Sequence, residues 1–129
     1  MKSAITKTTN NFQTQANIRE FVFAMDETAD LQGDNIGPKP TEVVLAALGA
    51  CTAITLKMYA KRKGADLGDV KVEVDMVAED GKNKIHRKIT CSASIPDDVK
   101  HRLAHIANVC PVHKMLEGNA EIKTDFSFI

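Results

Sequence analysis

The chain has no excess of either charge: seventeen lysines and arginines balance seventeen aspartates and glutamates over 129 residues. No global field is therefore available to recruit nucleic acid or an anionic membrane. The one basic cluster, Lys57, Lys61, Arg62 and Lys63, falls where a helix should end, and cations there suit the macrodipole. No apolar h-region of a secretory signal stands in Met1 to Asn10. The most apolar run, Val43 to Leu56, is shorter than a bilayer span and is closed by Lys57. Low-complexity stretches and internal repeats are also missing. Cysteine is scarce, and the count of three is odd, which fits a reducing compartment better than a disulfide framework. A glycine-rich phosphate loop and a nucleophile elbow are absent. So is zinc-type spacing, because no Cys-x-x-Cys exists. His101 and His105 are four apart, but lack the glutamate of His-Glu-x-x-His. These absences predict one cytosolic domain over residues 1–129, with an apolar share of 43% that suffices for a core.

What is present is a sequence of alternating and periodic segments. Residues 3–9 and 12–25 alternate as strands do, most clearly at Ile18, Phe21 and Phe23. Asp26–Lys39, rich in Asp, Gly and Asn, is expected to be a loop. A helix should open at Pro40 or Thr41, with Thr41 as a plausible cap, and stop at Gly64. From Val43 to Leu56 it has no polar face, which predicts burial on most sides, inside the molecule or at a subunit interface. Val70–Ala78 alternates, Glu79–Asn83 has hairpin-turn chemistry, and Ile85–Ile95 returns with Ile89, Cys91, Ala93 and Ile95 on one face. An amphipathic helix from about Pro96 to Val109 and a short one from Pro111 to Glu117 follow. Ile122, Thr124, Phe126 and Phe128 should form a closing strand. The predicted class is α+β: an antiparallel sheet packed on a long, central, buried helix.

Two cysteines carry the chemistry. Cys110 precedes Pro111, a residue suited to a first helical turn, so its thiol should sit where free amides stabilise a thiolate. It is equally well read as a small buried hydrophobe before a turn. Cys51 lies in the third turn of the apolar helix among Gly49, Ala50, Thr52 and Ala53, and both a core role and a reactive role remain open. Cys91, at an inward strand position, reads as core. His113 shares a helical face with Cys110 and is placed to tune that thiol, or to join a metal set with Cys110, Cys51 and Glu42. His86, His101 and His105 read as surface residues.

The stretch Gly37-Pro-Lys-Pro-Thr-Glu-Val-Val-Leu-Ala-Ala-Leu-Gly-Ala-Cys51-Thr-Ala, followed by Cys110-Pro-Val-His-Lys-Met-Leu, resembles the OsmC-like family. That family includes the osmotically induced OsmC proteins and the Ohr organic hydroperoxide resistance proteins. The resemblance runs from about Phe21 to the C-terminus and implies a single OsmC-like domain in an intertwined α+β homodimer, with active sites at the subunit interface. It further implies a cytoplasmic peroxidase in oxidative-stress defence. In that role the cysteine matching Cys51 attacks the hydroperoxide, and the one matching Cys110 resolves the sulfenic acid. A dithiol, often lipoyl-bearing, then reduces the disulfide, and no cofactor or metal is needed. Peroxidase members hold the thiolate with an arginine and a glutamate. Aligning prolines puts Thr41 at the glutamate's place and Glu42 one residue on, a rotation of about 100°. Arg19 is the only arginine before Cys51. Glu42 and Arg19 are thus the implied electrostatic partners, and the Gly-Pro-x-Pro-Thr-Glu opening resembles the less characterised redox branch.

Three readings result. The first is a two-cysteine thiol peroxidase using Cys51, Cys110, Glu42 and Arg19. The alternative is a non-catalytic redox-sensing or small-ligand-binding protein on the same scaffold. A third is a metal-binding dimer through Cys51, Cys110 and His113.

Overall fold

The computed structural model describes residues 2–118 and 120–129. Its element order is β1 (Ile5–Thr8), β2 (Thr14–Ile18), β3 (Phe21–Met25), a 3-10 turn at Ala29–Leu31, α1 (Pro40–Arg62), β4 (Val70–Glu79), β5 (Lys82–Cys91), α2 (Asp97–Asn108) and α3 (Pro111–Leu116). The contacts group into two units, one ending at Ala46 and the other beginning at Ala47, so α1 contributes to both.

In the first unit β1, β2 and β3 form an antiparallel sheet in that order. The alternating stretch 12–25 is two strands: Ile18 pairs with Phe21 across a two-residue turn in which Arg19 adopts a left-handed φ of 53°. The Asp26–Lys39 loop is held from within. The buried Asp26 carboxylate accepts from the amides of Glu27 at 2.7 Å and Ile36 at 3.3 Å. A Cβ at Gly37 would lie 2.5 Å from the Ala24 carbonyl oxygen, so only glycine lets the loop pass that close. The helix start differs from expectation. Thr41 is not the cap: Pro40 takes the first helical position, Val43 N–H donates to the Lys39 carbonyl at 3.0 Å, and Glu42 Oε1 accepts from the Lys39 amide at 2.8 Å. A carboxylate at the third helical position reaching back to the capping residue's amide satisfies one of the orphan donors at the helix start.

In the second unit β4 and β5 form a ten-residue hairpin, closed by Asp80 and Gly81 at φ of 53° and 73°. Positive φ at both turn positions matches the right-handed twist of the strands. Leu56, Ala60, Leu67 and Ala107 are the fully buried centre, with Val70, Ile89, Leu103 and Ile106 packed around them. Helix α1 buries one stripe, including Leu48, Gly49, Thr52, Leu56, Tyr59 and Ala60. Burial on most sides is not reached within a single chain, where Ile54 and Met58 on the other face are 59% and 57% exposed, which leaves the subunit-interface form of that expectation. One chain offers the hairpin, α2, the start of α3 and the Leu67 loop to pack on α1 in this unit, which is too little to surround a 23-residue helix. By length and composition alone α1 passes the test for a membrane-crossing helix, as core helices also do.

The predicted C-terminal strand does not form. Residues 120–129 join no sheet, and Ile122, Phe126 and Phe128 are 87%, 81% and 91% exposed. The Phe126 and Phe128 rings stack at 5.8 Å, consistent with residues two apart on one side of an extended chain. Alternation specifies a strand's two faces but not its neighbour, and without a neighbour there is no ladder.

Candidate functional site

Four segments of the second unit converge. Helix α1 brings Cys51 and Thr52, β5 brings Arg87, the end of α2 brings Ala107 and Asn108, and α3 opens with Cys110 and carries His113. Cys110 caps α3, as its place before Pro111 predicts: its Sγ accepts from the His113 amide at 3.3 Å. The thiol is fully buried, while Cys51 is only partly so; no cysteine is disulfide-bonded.

Burial is the largest influence on the Cys110 thiol and opposes its ionisation. The His113 amide, the side chains of Cys51 and Thr52, and the Val112 amide together outweigh it, so the pKa lies below the ordinary thiol value. The Cys51 side chain thus lies close enough to Cys110 to ease its ionisation.

Thr52 stands between the thiol and a cation. Its hydroxyl, wholly buried, donates to the Leu48 carbonyl at 2.7 Å, accepts from Arg87 Nη1 at 2.9 Å, and lies 4.0 Å from Cys110 Sγ. Arg87 Nη1 also donates to the Ala107 carbonyl at 3.3 Å, and Nη2 to Asn108 Oδ1 at 3.0 Å and His113 Nδ1 at 3.1 Å. A guanidinium only donates, so His113 Nδ1 accepts, and Nε2 faces Glu117 Oε2 at 3.3 Å. Every hydrogen-bond partner of Arg87 among the described residues is a neutral group. His113 therefore meets Cys110 through its backbone amide, while its ring is turned to Arg87. Beside this network lies a cavity of about 400 Å³ lined by Leu48, Ile85, Arg87, His113, Leu116 and Glu117, among others; neither Cys51 nor Cys110 lines it.

The other expected residues have surroundings of their own. Arg19 sits exposed in the β2–β3 turn, its guanidinium 3.8 Å from Glu20 Oε1 and 5.0 Å from the centre of the Phe21 ring. Glu42 caps its own helix. Cys91 packs against the core, and His86, His101 and His105 are exposed, as their positions predict. Among the described residues no group of three or more His, Cys, Asp or Glu side chains is arranged to hold a metal ion.

Sequence reasoning missed Arg87, although a signal existed. It occupies the inward register of β5 between Ile85 and Ile89, opposite Val74, and a lone charge on an apolar strand face requires buried partners. Thr52 was overshadowed by the cysteine beside it.

A family model of OsmC-like proteins matches residues 33–125. Among solved structures, the fold resembles a Psychrobacter arcticus protein provisionally named for osmotic stress induction and detoxification response, with TM-score 0.77 and 21% identity over 89% of this chain and 88% of that one. It also resembles an OsmC-like protein from Mycoplasma pneumoniae, with TM-score 0.72 and 17% identity over 92% and 89%. The organic hydroperoxide resistance protein OhrB of Bacillus subtilis aligns with TM-score 0.62 and 17% identity over 92% of both chains. No curated protein sequence matches the chain.

Proposed function

The chain belongs to the OsmC-like family, and from that premise we propose that it is a thiol peroxidase that reduces organic hydroperoxides in cytoplasmic oxidative-stress defence. The observation carrying this reading is the pairing of a partly exposed Cys51 with a buried Cys110 whose thiol is eased toward ionisation. An accessible nucleophile beside an ionisable resolving thiol is what a two-cysteine cycle requires.

In the proposed cycle the Cys51 thiolate attacks the outer oxygen of the hydroperoxide. The O–O bond breaks, Cys51 becomes a sulfenic acid, and the departing alkoxide takes a proton to leave as an alcohol. The Cys110 thiolate then attacks the Cys51 sulfur, forming the disulfide and expelling hydroxide. A dithiol reductant, of which a lipoyl group is one chemical form, attacks the disulfide and is itself oxidised as both thiols are restored. No metal or cofactor takes part. Arg19 and Glu42 are proposed as electrostatic partners of Cys51 in the assembled protein. The exposed Arg19–Glu20 ion pair is weak enough for Arg19 to exchange it readily.

The working unit is proposed to be a homodimer. Support comes from the apolar side chains a single chain leaves exposed, including Phe21, Ile54, Met58, Phe126 and Phe128. A closing segment that alternates like a strand but pairs with nothing points the same way.

The test is intact mass under non-reducing conditions after about one equivalent of cumene hydroperoxide. Rapid loss of two hydrogens is expected, abolished in Cys51→Ser and replaced by a trappable sulfenic acid in Cys110→Ser. An unchanged mass would favour the non-catalytic, ligand-binding reading of the same scaffold.

A further inference from the structure

Arg87 is a half-buried cation with no carboxylate among its hydrogen-bond partners in the described residues. Removing a guanidinium from water without an anion is unfavourable, and four hydrogen bonds to neutral groups offset only part of that cost. Such a site is electrostatically incomplete. Two groups able to supply a negative charge stand one group away: Glu117 beyond the His113 imidazole, and the buried Cys110, which shares the Thr52 hydroxyl with Arg87, at 2.9 Å from Arg87 Nη1 and 4.0 Å from the sulfur.

We propose that Arg87 is a positioning residue for the thiol pair, orienting Thr52 so that its hydroxyl eases the ionisation of Cys110. The inference goes beyond the peroxide reading, because it concerns the reduced protein and holds whether or not any peroxide is turned over. Thr52 has one hydroxyl proton. In the structure it goes to the Leu48 carbonyl, which as an interior helical carbonyl already serves the helix ladder. When Cys110 ionises, that proton turns toward the sulfur, while Arg87 keeps donating to the hydroxyl oxygen and polarises it. Arg87 has a second hold on the site. By donating to His113 Nδ1 and to the Ala107 carbonyl it ties α3 and the end of α2 around the thiol. The titratable and charged groups facing Cys110 are then few: Cys51 from α1, Arg87 from β5 through Thr52, and His113 from α3 through its amide, with Glu117 reached only beyond the imidazole. None of the side chains in contact with the sulfur is a carboxylate that would oppose ionisation.

Easier ionisation at Cys110 assigns a direction to any exchange at the pair. Cys110 gives up its proton more readily than an ordinary thiol when it attacks oxidised Cys51. When a disulfide is reduced, Cys110 is the better leaving group, and the incoming thiol bonds to Cys51, the more accessible sulfur.

The experiment titrates Cys110 as the only thiol, in a Cys51→Ser, Cys91→Ser background, by thiolate ultraviolet absorbance, which needs no access to the buried sulfur. Arg87→Met is expected to lower the ionisation constant about tenfold, and Thr52→Val to lower it in the same direction. Thr52→Ser should restore it, and Arg87→Lys should restore part. A titration unchanged in Arg87→Met, or a lysine variant titrating like the methionine one, overturns the proposal. Where Arg87→Met fails to fold, Thr52→Val decides: a lowered constant supports the proposal and an unchanged one overturns it. No peroxide enters these measurements, so failure of the peroxidase reading leaves their outcome intact.

Discussion

Gly49 lies two residues before Cys51 in the middle of α1, and its replacement by alanine tests how closely that helix approaches the β4–β5 hairpin. A Cβ built there meets Val74 Cγ2 at 3.5 Å and the Val72 side chain at 3.8 Å, ordinary van der Waals distances with nothing nearer. The backbone has ordinary helical φ, so no strain is introduced. Alanine is favoured over glycine in a helix interior by about 0.8–1.0 kcal/mol. The added methyl, buried against two valines, contributes up to about 0.8 kcal/mol more, reduced by any small readjustment of their rotamers. The net expectation is a stabilisation of about 1 kcal/mol, or a rise in melting temperature of roughly 3–5 °C for a chain of this size. Urea unfolding at two protein concentrations is the right assay, since subunit association would make apparent stability depend on concentration. Gly49→Val provides the contrast: its two γ-carbons must enter space already held by Val72 and Val74, with a loss of about 1–3 kcal/mol. If Gly49→Ala destabilises the protein by more than about 0.5 kcal/mol, the helix lies closer to the hairpin than described and the packing argument is wrong.

Leu56→Ala should cost about 2–5 kcal/mol by opening a cavity at the fully buried centre of the second unit, and a loss below about 1 kcal/mol would show that the centre collapses freely. The lowered pKa of Cys110 predicts a pH dependence of stability. Between its folded and unfolded values the unfolded chain binds the extra proton, so stability rises with pH across that window and is lost as pH falls through the folded value. The stability difference between the wild type and Cys110→Ser should therefore grow with pH there, and a flat difference would contradict the assignment. Ile54→Asp, on the exposed face of α1, should leave the secondary structure intact and convert a dimer to monomers in sedimentation velocity; an unchanged dimer would place the interface elsewhere.

Much of the local structure was legible because it depends on neighbours in sequence. The Pro40 start and Gly64 stop of α1, the Asp80-Gly81 turn and the Cys110-Pro111 cap each follow from the conformational limits of a few adjacent residues. The cysteine pair was legible for another reason: a run of specific residues around Cys51 and Cys110 resembles one family, and the family model covers that region. Arg87 was the residue to find and was not found. Its inward register marks it as unusual, but register alone does not say which groups receive the guanidinium.

The sequence by itself determined the approximate helix ends, the turn between β4 and β5, and which segments alternate, because propensity, capping and periodicity act over a handful of residues. Only the tertiary structure decided that Thr52 joins Arg87 to Cys110, that the His113 imidazole turns to Arg87 rather than to the thiol, and that one face of α1 is bare while the C-terminal alternation stays unpaired. Those outcomes depend on hydrogen bonds and burial between segments far apart in the chain, and an alternating or periodic pattern records that a side chain needs a partner without recording which one.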